Sequence, residues 1–421
     1  MTFKKIGGPL LAGALGTCMV LILVHPEASL AAALRGLTVW WDVLFPSLFP
    51  FFVISEIMLG FGVVHLFGAL LDPLMRPLFG IPGSGGFVAA MGYVSGYPVG
   101  AKLTAKLREQ NLISRIEGER LVAFTTSSDP IFLLGAVSVG FFHDASLGLI
   151  LVLSHYGSGL IVGLLMSFHG RKELDNPTTS SLENRSGELK NPSEQGFGRL
   201  RIAFIAMAEA RRKDGRGFGE LLKGAVQSSL QLIIVVGGLV VFFNVLMELL
   251  ARAGIMPHLV GFTGQLLSLI GVSPELGQAM VSGFFEVTFG ARSAGEAVSS
   301  VPLHFKVAAA AFILSWGGLS VHAQVASILN GTGLRYLPFM IARLVHAILA
   351  AGLVLLLWKP VMGTGLSSAW QSLPVSVAFA PSASGFTASL GLLGIILAAA
   401  LLISFVITTF RAVLRMMMRR N

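Results

Sequence analysis

The chain has 421 residues, of which 54% are hydrophobic and only 12% are charged, and its mean hydropathy is +0.79. A soluble protein of this length exposes far more charge, so the composition excludes that class and predicts an all-α polytopic membrane protein. The single cysteine, Cys18, leaves no disulfide framework and no cysteine-based metal site. We assign the net charge of +9 to cytoplasmic loops rather than to nucleic-acid binding, because the basic residues cluster between apolar runs.

Apolar runs predict about eight transmembrane helices, since a helix needs about 20 apolar residues to cross a bilayer. In chain order, the runs are 7–24, 43–64, 121–142, 146–168, 224–250, 305–329, 336–358 and 386–410. Lys4 and Lys5 precede the first run, which we interpret as an uncleaved anchor because no clear cleavage site follows it.

The one long hydrophilic segment, 171–223, is basic, and so are both ends of the chain. Cytoplasmic loops are enriched in lysine and arginine, so we place this loop and both termini in the cytoplasm, with four spans on either side of the loop. Its Ser/Glu/Asn-rich part, 175–195, is expected to be disordered. Its later part, 199–212, is expected to form an interfacial amphipathic helix.

Two moderately apolar segments, 85–107 and 277–301, are interrupted by Gly, Pro or charged residues and would spoil the charge balance as full spans. We interpret them as re-entrant hairpins, which enter and leave the membrane on one side. Non-helical backbone is tolerated at membrane depth only where protein buries it or a wet cavity adjoins it, so such hairpins mark a functional site. Gly92, Gly96 and Gly100 in the first hairpin have the spacing typical of close helix packing.

The two halves of the chain carry the same landmarks in the same order. Glu56 recurs as Glu248, 192 residues later, and Ala101 recurs as Ala291, 190 residues later. A polar interruption follows inside a span of each half, at 125–130 and again at 315–320.

By the orientation above, the first hairpin opens to the cytoplasm and the second to the far side. The halves would then form an inverted repeat with discontinuous helices, which is typical of secondary transporters. The predicted organisation is an anchor helix with an interfacial segment (1–42), a first repeat (43–168), a cytoplasmic loop (169–223), a second repeat (224–358), and a last transmembrane helix with a basic tail (359–421).

Cations at equivalent places in the two hairpins, Lys102 and Arg292, are the first candidate substrate ligands. A cation at membrane depth is costly unless it is paired or turned to water. The pair would attract a small anionic substrate from opposite sides, and the arginine fork suits a carboxylate better. The structural alternative is that Lys102 extends to the cytoplasmic interface beside Lys106 and Arg108.

Polar groups in the hairpins and interruptions complete the candidate site. The predicted substrate-binding residues are Ser95, Tyr97, Lys102, Thr125, Thr126, Ser127, Ser128, Asp129, Glu286, Thr288, Arg292, Ser315, Ser320, His322 and Gln324. Pro130 removes a helix donor and so frees carbonyls and hydroxyls for a substrate or cation. Asp129 either takes part in that binding or caps the half-helix that starts at Pro130, and both roles are compatible.

Other ionisable residues leave two interpretations open. His322 either contacts substrate or relays a proton, or it is a buried, satisfied histidine. Glu286 is a candidate partner for Arg292, six residues away in the hairpin. Glu56 and Glu248 either form structural ion pairs or bind a coupling ion.

Four stretches carry a family resemblance: WWDVLFPSLFPFFVISEIMLGFGVV, MGYVSGYPVGAKLTAKLR, ERLVAFTTSSDPIFLLGAVSVGFFH and GGLSVHAQVASIL. They resemble the YlbJ family of sporulation integral membrane proteins, also called stage V sporulation protein V, in ordered blocks from about residue 5 to residue 355. Both hairpin-and-break units also look like the nucleoside-recognition gate domain, shared more distantly with concentrative nucleoside transporters.

The resemblance implies transport of dipicolinic acid from the mother cell across the outer forespore membrane during sporulation. Dipicolinate is a small aromatic dianion, which Lys102, Arg292 and His322 would suit. A nucleoside site would need acidic and amide groups for the ribose hydroxyls, whereas this chain has cations at the hairpin ends. Nucleoside or other small-solute transport is therefore the alternative hypothesis. The gate resemblance also suggests a homo-oligomer.

Two further classes compete with a transporter. An intramembrane hydrolase could use Ser95, His155 and Asp129 as a triad, although their spacing does not support one and we expect no enzyme. A scaffold for spore assembly is less favoured, because polar breaks and hairpins free backbone groups that must all find new hydrogen-bond partners. We expect no cofactor, and Na⁺ coupling, H⁺ coupling and passive downhill transport all remain open.

Overall fold

The computed structural model describes residues 3–170 and 197–363, and the secondary structure within these residues is entirely helical. The predicted all-α class is therefore confirmed. The segment 175–195, predicted to be disordered, and the predicted last span with its basic tail lie outside the described residues.

The chain begins with a sharply bent pair of helices, α1 (Phe3–Val24) and α2 (Pro26–Val39). The bend between them is 104°, and it falls where Pro26 occupies the first turn of α2, since a proline cannot donate back into the preceding turn. A π-helical turn, Trp40–Leu44, then leads into α3. The Trp40 indole donates to the carbonyl of Ile233 at 2.9 Å, which fixes this turn against the second half of the chain.

The first repeat consists of five consecutive units. They are α3 (Phe45–Gly60), α4 (Val63–Phe79), the hairpin of α5 (Ser84–Ser95) and α6 (Val99–Glu109), the broken helix of α7 (Arg115–Thr125) and the π-helical segment Phe132–Phe141, and α8 (Leu147–Met166). α9 (Phe197–Asp214) follows in the loop region and confirms the helix predicted at 199–212.

The second repeat has the same order. Its units are α10 (Phe218–Arg252), α11 (Ile255–Leu269), the hairpin of α12 (Gly277–Phe285) and α13 (Val287–Gly295) after a short 3₁₀ turn Pro274–Leu276, the broken helix of α14 (Leu303–Trp316) and α15 (Gly318–Leu329), and α16 (Tyr336–Met362). Gly62 before α4 and Gly254 before α11 both have a left-handed backbone, with φ of 76° and 74°. The two chain reversals therefore match in kind as well as in position.

Among the described residues, four helices are long and apolar enough to cross a membrane, and six are if each bent pair counts as one span. The predicted span 43–64 is instead a bent pair, with 84° between Leu48–Gly60 and Val63–Phe79. Neither α4 nor α11 was predicted. Pro73 and Pro77 interrupt the apolar run of α4. α11 has only 15 residues, too few for a span.

Glycines let the arms of each hairpin touch. A methyl group on Gly290 would lie 2.1 Å from the Cα of Gly283, so the second hairpin closes backbone to backbone. In the first hairpin, a methyl group on Gly92 would lie 3.3 Å from the Cα of Gly100 on the other arm, and methyl groups on Gly92 and Gly100 would lie 2.4 and 2.3 Å from the carbonyl oxygen of Thr125 at the end of α7. The packing role predicted for the glycine spacing is confirmed, because no other side chain fits at these distances.

Two large apolar cores form, one around each hairpin. The first hairpin shares its core with α3, α4 and α7, and the second shares its core with α8, α14 and α16. A smaller cluster joins the halves, where Val321 and Val325 of α15 pack with Ala101 of α6 and Val122 of α7. Because the broken helix of each half contacts the other half, both interruptions come to the centre of the protein.

Candidate functional site

The helix interruptions lie where the sequence predicts them. α7 ends at Thr125 and helical structure resumes at Pro130, so residues 126–129 are non-helical. The hydroxyls of Thr125 and Thr126 donate back to the carbonyls of Leu121 and Val122, both at 2.8 Å. In the second half α14 ends at Trp316, and Gly317 and Gly318 both have positive φ. Each break thus exposes helix-end carbonyls and amides inside the protein.

The tip of each hairpin rests on the break of its own repeat. In the first, the Tyr97 hydroxyl is 2.7 Å from the Ser128 hydroxyl, and a methyl group on Gly96 would lie 2.8 Å from a carboxylate oxygen of Asp129. In the second, a methyl group on Gly318 would lie 3.1 Å from the Cα of Glu286. Both contacts pair a carboxylate-bearing residue with a glycine.

The acid at the contact of tip and break lies in the break in the first repeat and in the hairpin tip in the second. Asp129 lies in the first break and accepts from the backbone N–H of Phe132 at 2.9 Å. Glu286 lies in the second hairpin tip and accepts from the N–H of Phe289 at 3.0 Å and from the Thr288 hydroxyl at 3.2 Å. Each carboxylate therefore caps the half-helix that follows it, which confirms the capping role predicted for Asp129.

His155 of α8 connects the two breaks. Its Nε2 accepts from the N–H of Ser128 at 3.1 Å and lies 2.9 Å from the Ser127 hydroxyl. Because Nε2 accepts, we assign the ring proton to Nδ1, which is 2.8 Å from the Ser315 hydroxyl of the second break. The hydrolase triad is not assembled, since His155 bonds these three serines rather than Ser95.

Arg343 of α16 is completely buried at the same centre. It donates to the carbonyl of Thr126 in the first break, and to those of Leu314 (3.3 Å) and Trp316 (3.4 Å) in the second. Its guanidinium is also 3.0 Å from Nδ1 of His346, whose Nε2 is 2.8 Å from the carbonyl oxygen of His155. Within the described residues, the partners of Arg343 are carbonyls and an imidazole, and none is a carboxylate.

Arg343 and His346 were not predicted from the sequence. Both lie in the predicted span 336–358, which contains no other charged side chain until its end. An ionisable residue inside a span is a functional candidate by default, so the isolated arginine with a histidine three residues later was a usable signal. It was overlooked because it has no counterpart in the first half of the chain.

The hairpin cations lie elsewhere. Lys102 is buried and pairs with Glu56 at 2.8 Å, and Lys106 also contacts Glu56. Arg292 pairs with Glu296 at 2.8 Å, and 59% of its side chain is exposed. The predicted pairing of Glu286 with Arg292 is wrong, because Glu286 is committed to the amides of its own helix.

The matched acids Glu56 and Glu248 form structural ion pairs, as one of the two interpretations predicted. Glu248 pairs with Arg35 of α2 at 2.8 Å and with Arg252 at 3.0 Å. His322 is buried, contacts the Tyr336 hydroxyl and lies 3.2 Å from the carbonyl of Trp316, which is the satisfied-histidine interpretation. The remaining predicted residues, Ser95, Ser320 and Gln324, are buried near the same tips and breaks.

Together these features define an integral membrane protein with a duplicated unit of hairpin and broken helix, joined at a buried network of two histidines and an arginine. The domain family described as Gate, nucleoside recognition, matches residues 42–143, from the turn before α3 to the end of the first broken helix. No solved structure matches the chain.

The chain is 44% identical over 371 residues to the sporulation integral membrane protein YlbJ of Bacillus subtilis (strain 168). That alignment covers 88% of this chain and 86% of the relative. The chain therefore belongs to the YlbJ family of sporulation integral membrane proteins.

Proposed function

We propose that the protein is a secondary transporter of a small carboxylate, and that the carboxylate binds to Arg343 at the junction of the two broken helices. The observation that carries this proposal is the burial of a guanidinium with no carboxylate among its described partners. A buried charge normally has an opposite charge beside it, because desolvation costs several kcal/mol per ion. A substrate anion would supply that missing charge.

Helix ends around Arg343 support a site for an anion. The carbonyls that hold Arg343 belong to the C-terminal ends of α7 and α14, where the helix dipole favours a cation. α15 and α6 begin at the same centre, and neither has a side-chain cap at its N-terminus. The helix dipole at these N-termini favours an anion, as the half-helix termini of other secondary transporters do.

For the substrate we propose dipicolinate, carried from the mother cell across the outer forespore membrane. The family is one of sporulation membrane proteins, and dipicolinate offers one carboxylate to Arg343 and a second to a helix N-terminus. Its ring suits a centre lined by Tyr97, Tyr156 and Trp316. In this proposal the α9 side of the protein and both termini face the mother-cell cytoplasm.

Access to Arg343 requires a hairpin to move, because the side chain has no exposed surface. Each hairpin tip closes the break of its own repeat, so withdrawing one tip would open the site to one side only. Alternation between the two tips would move substrate without a continuous channel. A chemical gradient of dipicolinate, or a coupling ion, would set the direction.

Reconstituted protein in liposomes tests the proposal. Wild-type protein should take up labelled dipicolinate, and Arg343→Gln, which keeps a hydrogen-bonding side chain but removes the charge, should lower uptake about a hundredfold or more. Arg252→Gln is the matched control, because Arg252 is also an arginine in a long apolar helix but is half-exposed and pairs with Glu248 on the same helix. Imposed Na⁺ and pH gradients in the same vesicles identify a coupling ion.

Two outcomes would contradict the proposal. If folded Arg343→Gln protein takes up dipicolinate as fast as the wild type, Arg343 is not part of the site. If the wild-type protein takes up no dipicolinate, a scaffold role is favoured instead. Arg343→Lys refines the result, since a lysine keeps the charge but loses the fork that binds both oxygens of a carboxylate. We expect it to retain a small part of the uptake.

Nucleosides are the second candidate substrates, because a family described as nucleoside recognition matches the first repeat. The buried Glu286 and Gln324 are the acid and amide that ribose hydroxyls would need. Uridine in the same liposomes discriminates between the two. Uptake of uridine that dipicolinate does not inhibit would favour the nucleoside assignment.

A further inference from the structure

A cavity of about 240 Å³ lies away from the central site, between the first repeat and the start of the second. We name it the vestibule. Its polar lining comes from α3, α6, the α9–α10 junction and α10, through Glu56, Lys106, Gln110, Asp214, Arg216 and Ser228. It is large enough for a single-ring dicarboxylate.

Glu56 shows what the vestibule lining recognises. Its carboxylate lies 2.8 Å from the ammonium group of Lys102, contacts that of Lys106, and accepts from the Ser228 hydroxyl at 3.2 Å. Two ammonium groups from α6 and a hydroxyl from α10 thus converge on one carboxylate. The arrangement is a complete carboxylate receptor that a side chain of the protein occupies.

The charge around the vestibule favours an anion. Asp214 accepts from Arg216 at 2.8 and 2.6 Å and lies 3.4 Å from Arg211. These hydrogen bonds from Arg216 lower the pKa of Asp214, so Asp214 is ionised at neutral pH. Within the described residues, the cations around the vestibule are Lys102, Lys106, Arg211 and Arg216, and the acids that act on them are Glu56, Asp214 and Glu220, which leaves an excess of one positive charge. The two carboxylates of a dicarboxylate would neutralise this excess and stand in for the displaced Glu56.

The same contacts hold the first hairpin in place. Lys102 and Lys106 lie on α6, while Glu56 lies on α3 and Ser228 on α10. Lys102 also lies 3.4 Å from the carbonyl of Ser228. A ligand that takes the lysines from Glu56 would therefore release α6 from α3 and α10.

We propose that the vestibule is a second dicarboxylate site, at which the ligand replaces Glu56 on Lys106 and Lys102 and so frees the first hairpin to open the way to Arg343. This inference rests on the proposed function for its substrate class. It adds a first binding step in which Glu56 is the internal competitor of the ligand.

Dipicolinate binding to the purified full-length protein in detergent, measured by titration calorimetry, tests the competition. Glu56→Gln removes the competing charge but keeps the shape and the hydrogen bond to Ser228, and should bind dipicolinate about tenfold more tightly than wild type. Lys106→Gln, which removes a receptor cation, should bind it about tenfold more weakly. Pyridine-2-carboxylate, with one charge, should gain less from Glu56→Gln than dipicolinate does.

Glu248→Gln is the matched control, because Glu248 is the repeat equivalent of Glu56 but pairs with Arg35 and Arg252. It should leave dipicolinate affinity unchanged. Unchanged or weaker binding by folded Glu56→Gln protein would overturn the vestibule site. Where Glu56→Gln protein fails to fold, an unchanged affinity of Lys106→Gln would overturn it instead.

The double variant Glu56→Gln with Arg343→Gln separates this inference from the proposed function. If both hold, the variant should bind dipicolinate at the vestibule but transport none in liposomes. Normal transport by Arg343→Gln would refute the central site. Tighter dipicolinate binding by Glu56→Gln would still support the vestibule in that case. If the double variant does not bind dipicolinate more tightly than Arg343→Gln alone, the vestibule is not a separate site.

Discussion

The two repeats share their element order but not their electrostatics. In the first hairpin the lysines of α6 are tied to a buried acid, Glu56. In the second hairpin the equivalent cation, Arg292, pairs along its own helix with Glu296 and is exposed. Glu248, the equivalent of Glu56, pairs outward with Arg35 of the N-terminal segment.

The two repeats therefore share their backbone geometry, whereas their ion pairs differ. Landmarks that shape the backbone, such as Gly62 and Gly254, kept their positions and conformations. The acid at each contact of tip and break was also kept, although it moved from the break (Asp129) to the tip (Glu286). A capping carboxylate is needed at each junction, and either partner can supply it.

Removing the acids at 56 and 248 should give the largest contrast between the repeats. Glu56→Ala leaves the buried Lys102 without its carboxylate partner and should destabilise the protein by about 3–5 kcal/mol. Glu248→Ala breaks more exposed pairs and should cost about 0–1 kcal/mol. Denaturant unfolding in detergent measures both. Equal losses would mean that the two hairpins are held by similar forces after all.

Removing the two capping acids should have a smaller and nearly equal effect in both repeats. Asp129→Ala and Glu286→Ala each remove a helix cap and should cost about 0.5–2 kcal/mol. Asp129→Asn and Glu286→Gln keep an acceptor oxygen and should recover much of that loss. Thermal unfolding of the four purified variants provides the measurement. A loss in only one repeat would show that the exchanged acids are not equivalent.

The smallest effect should come from the second hairpin cation. Arg292→Gln breaks one exposed pair and should change the free energy of unfolding by no more than about 0.5 kcal/mol. Liposome uptake of dipicolinate should stay close to wild type, because Arg292 lies outside the central network. A strong loss of uptake would restore the sequence-based hypothesis that Lys102 and Arg292 bind the substrate from opposite sides.

Most of the fold was predictable because its signals are local. Long apolar runs predicted α1, α8, α10 and α16, and glycine or proline within apolar runs predicted both hairpins and both breaks. The helices α4 and α11 were missed because each is held by packing rather than by a continuous apolar run. α4, for example, meets α9, where a methyl group on Gly62 would lie 2.7 Å from the carbonyl of Met207.

The candidate site was predictable only in part. Thr126, Ser127, Ser128, Asp129 and Ser315 were expected to lie together because the repeat gives both breaks equivalent positions, and His155 and Arg343 do connect the two breaks. The partners of the charged residues were not predictable, because a salt bridge depends on distances between segments far apart in the chain. Arg343 and the Thr126 carbonyl, for example, are 217 residues apart.

The sequence by itself determined the bilayer class, most of the helices and the places where they break, because hydropathy and backbone chemistry act within a few residues of one another. Only the tertiary structure decided which charges are neutralised. It joined Glu56 to two lysines and carried the lone arginine of α16 between the two breaks. Which ion pairs form depends on which helix faces lie side by side. Because desolvation of a buried ion is costly, the pairs of the buried ions contribute most to stability.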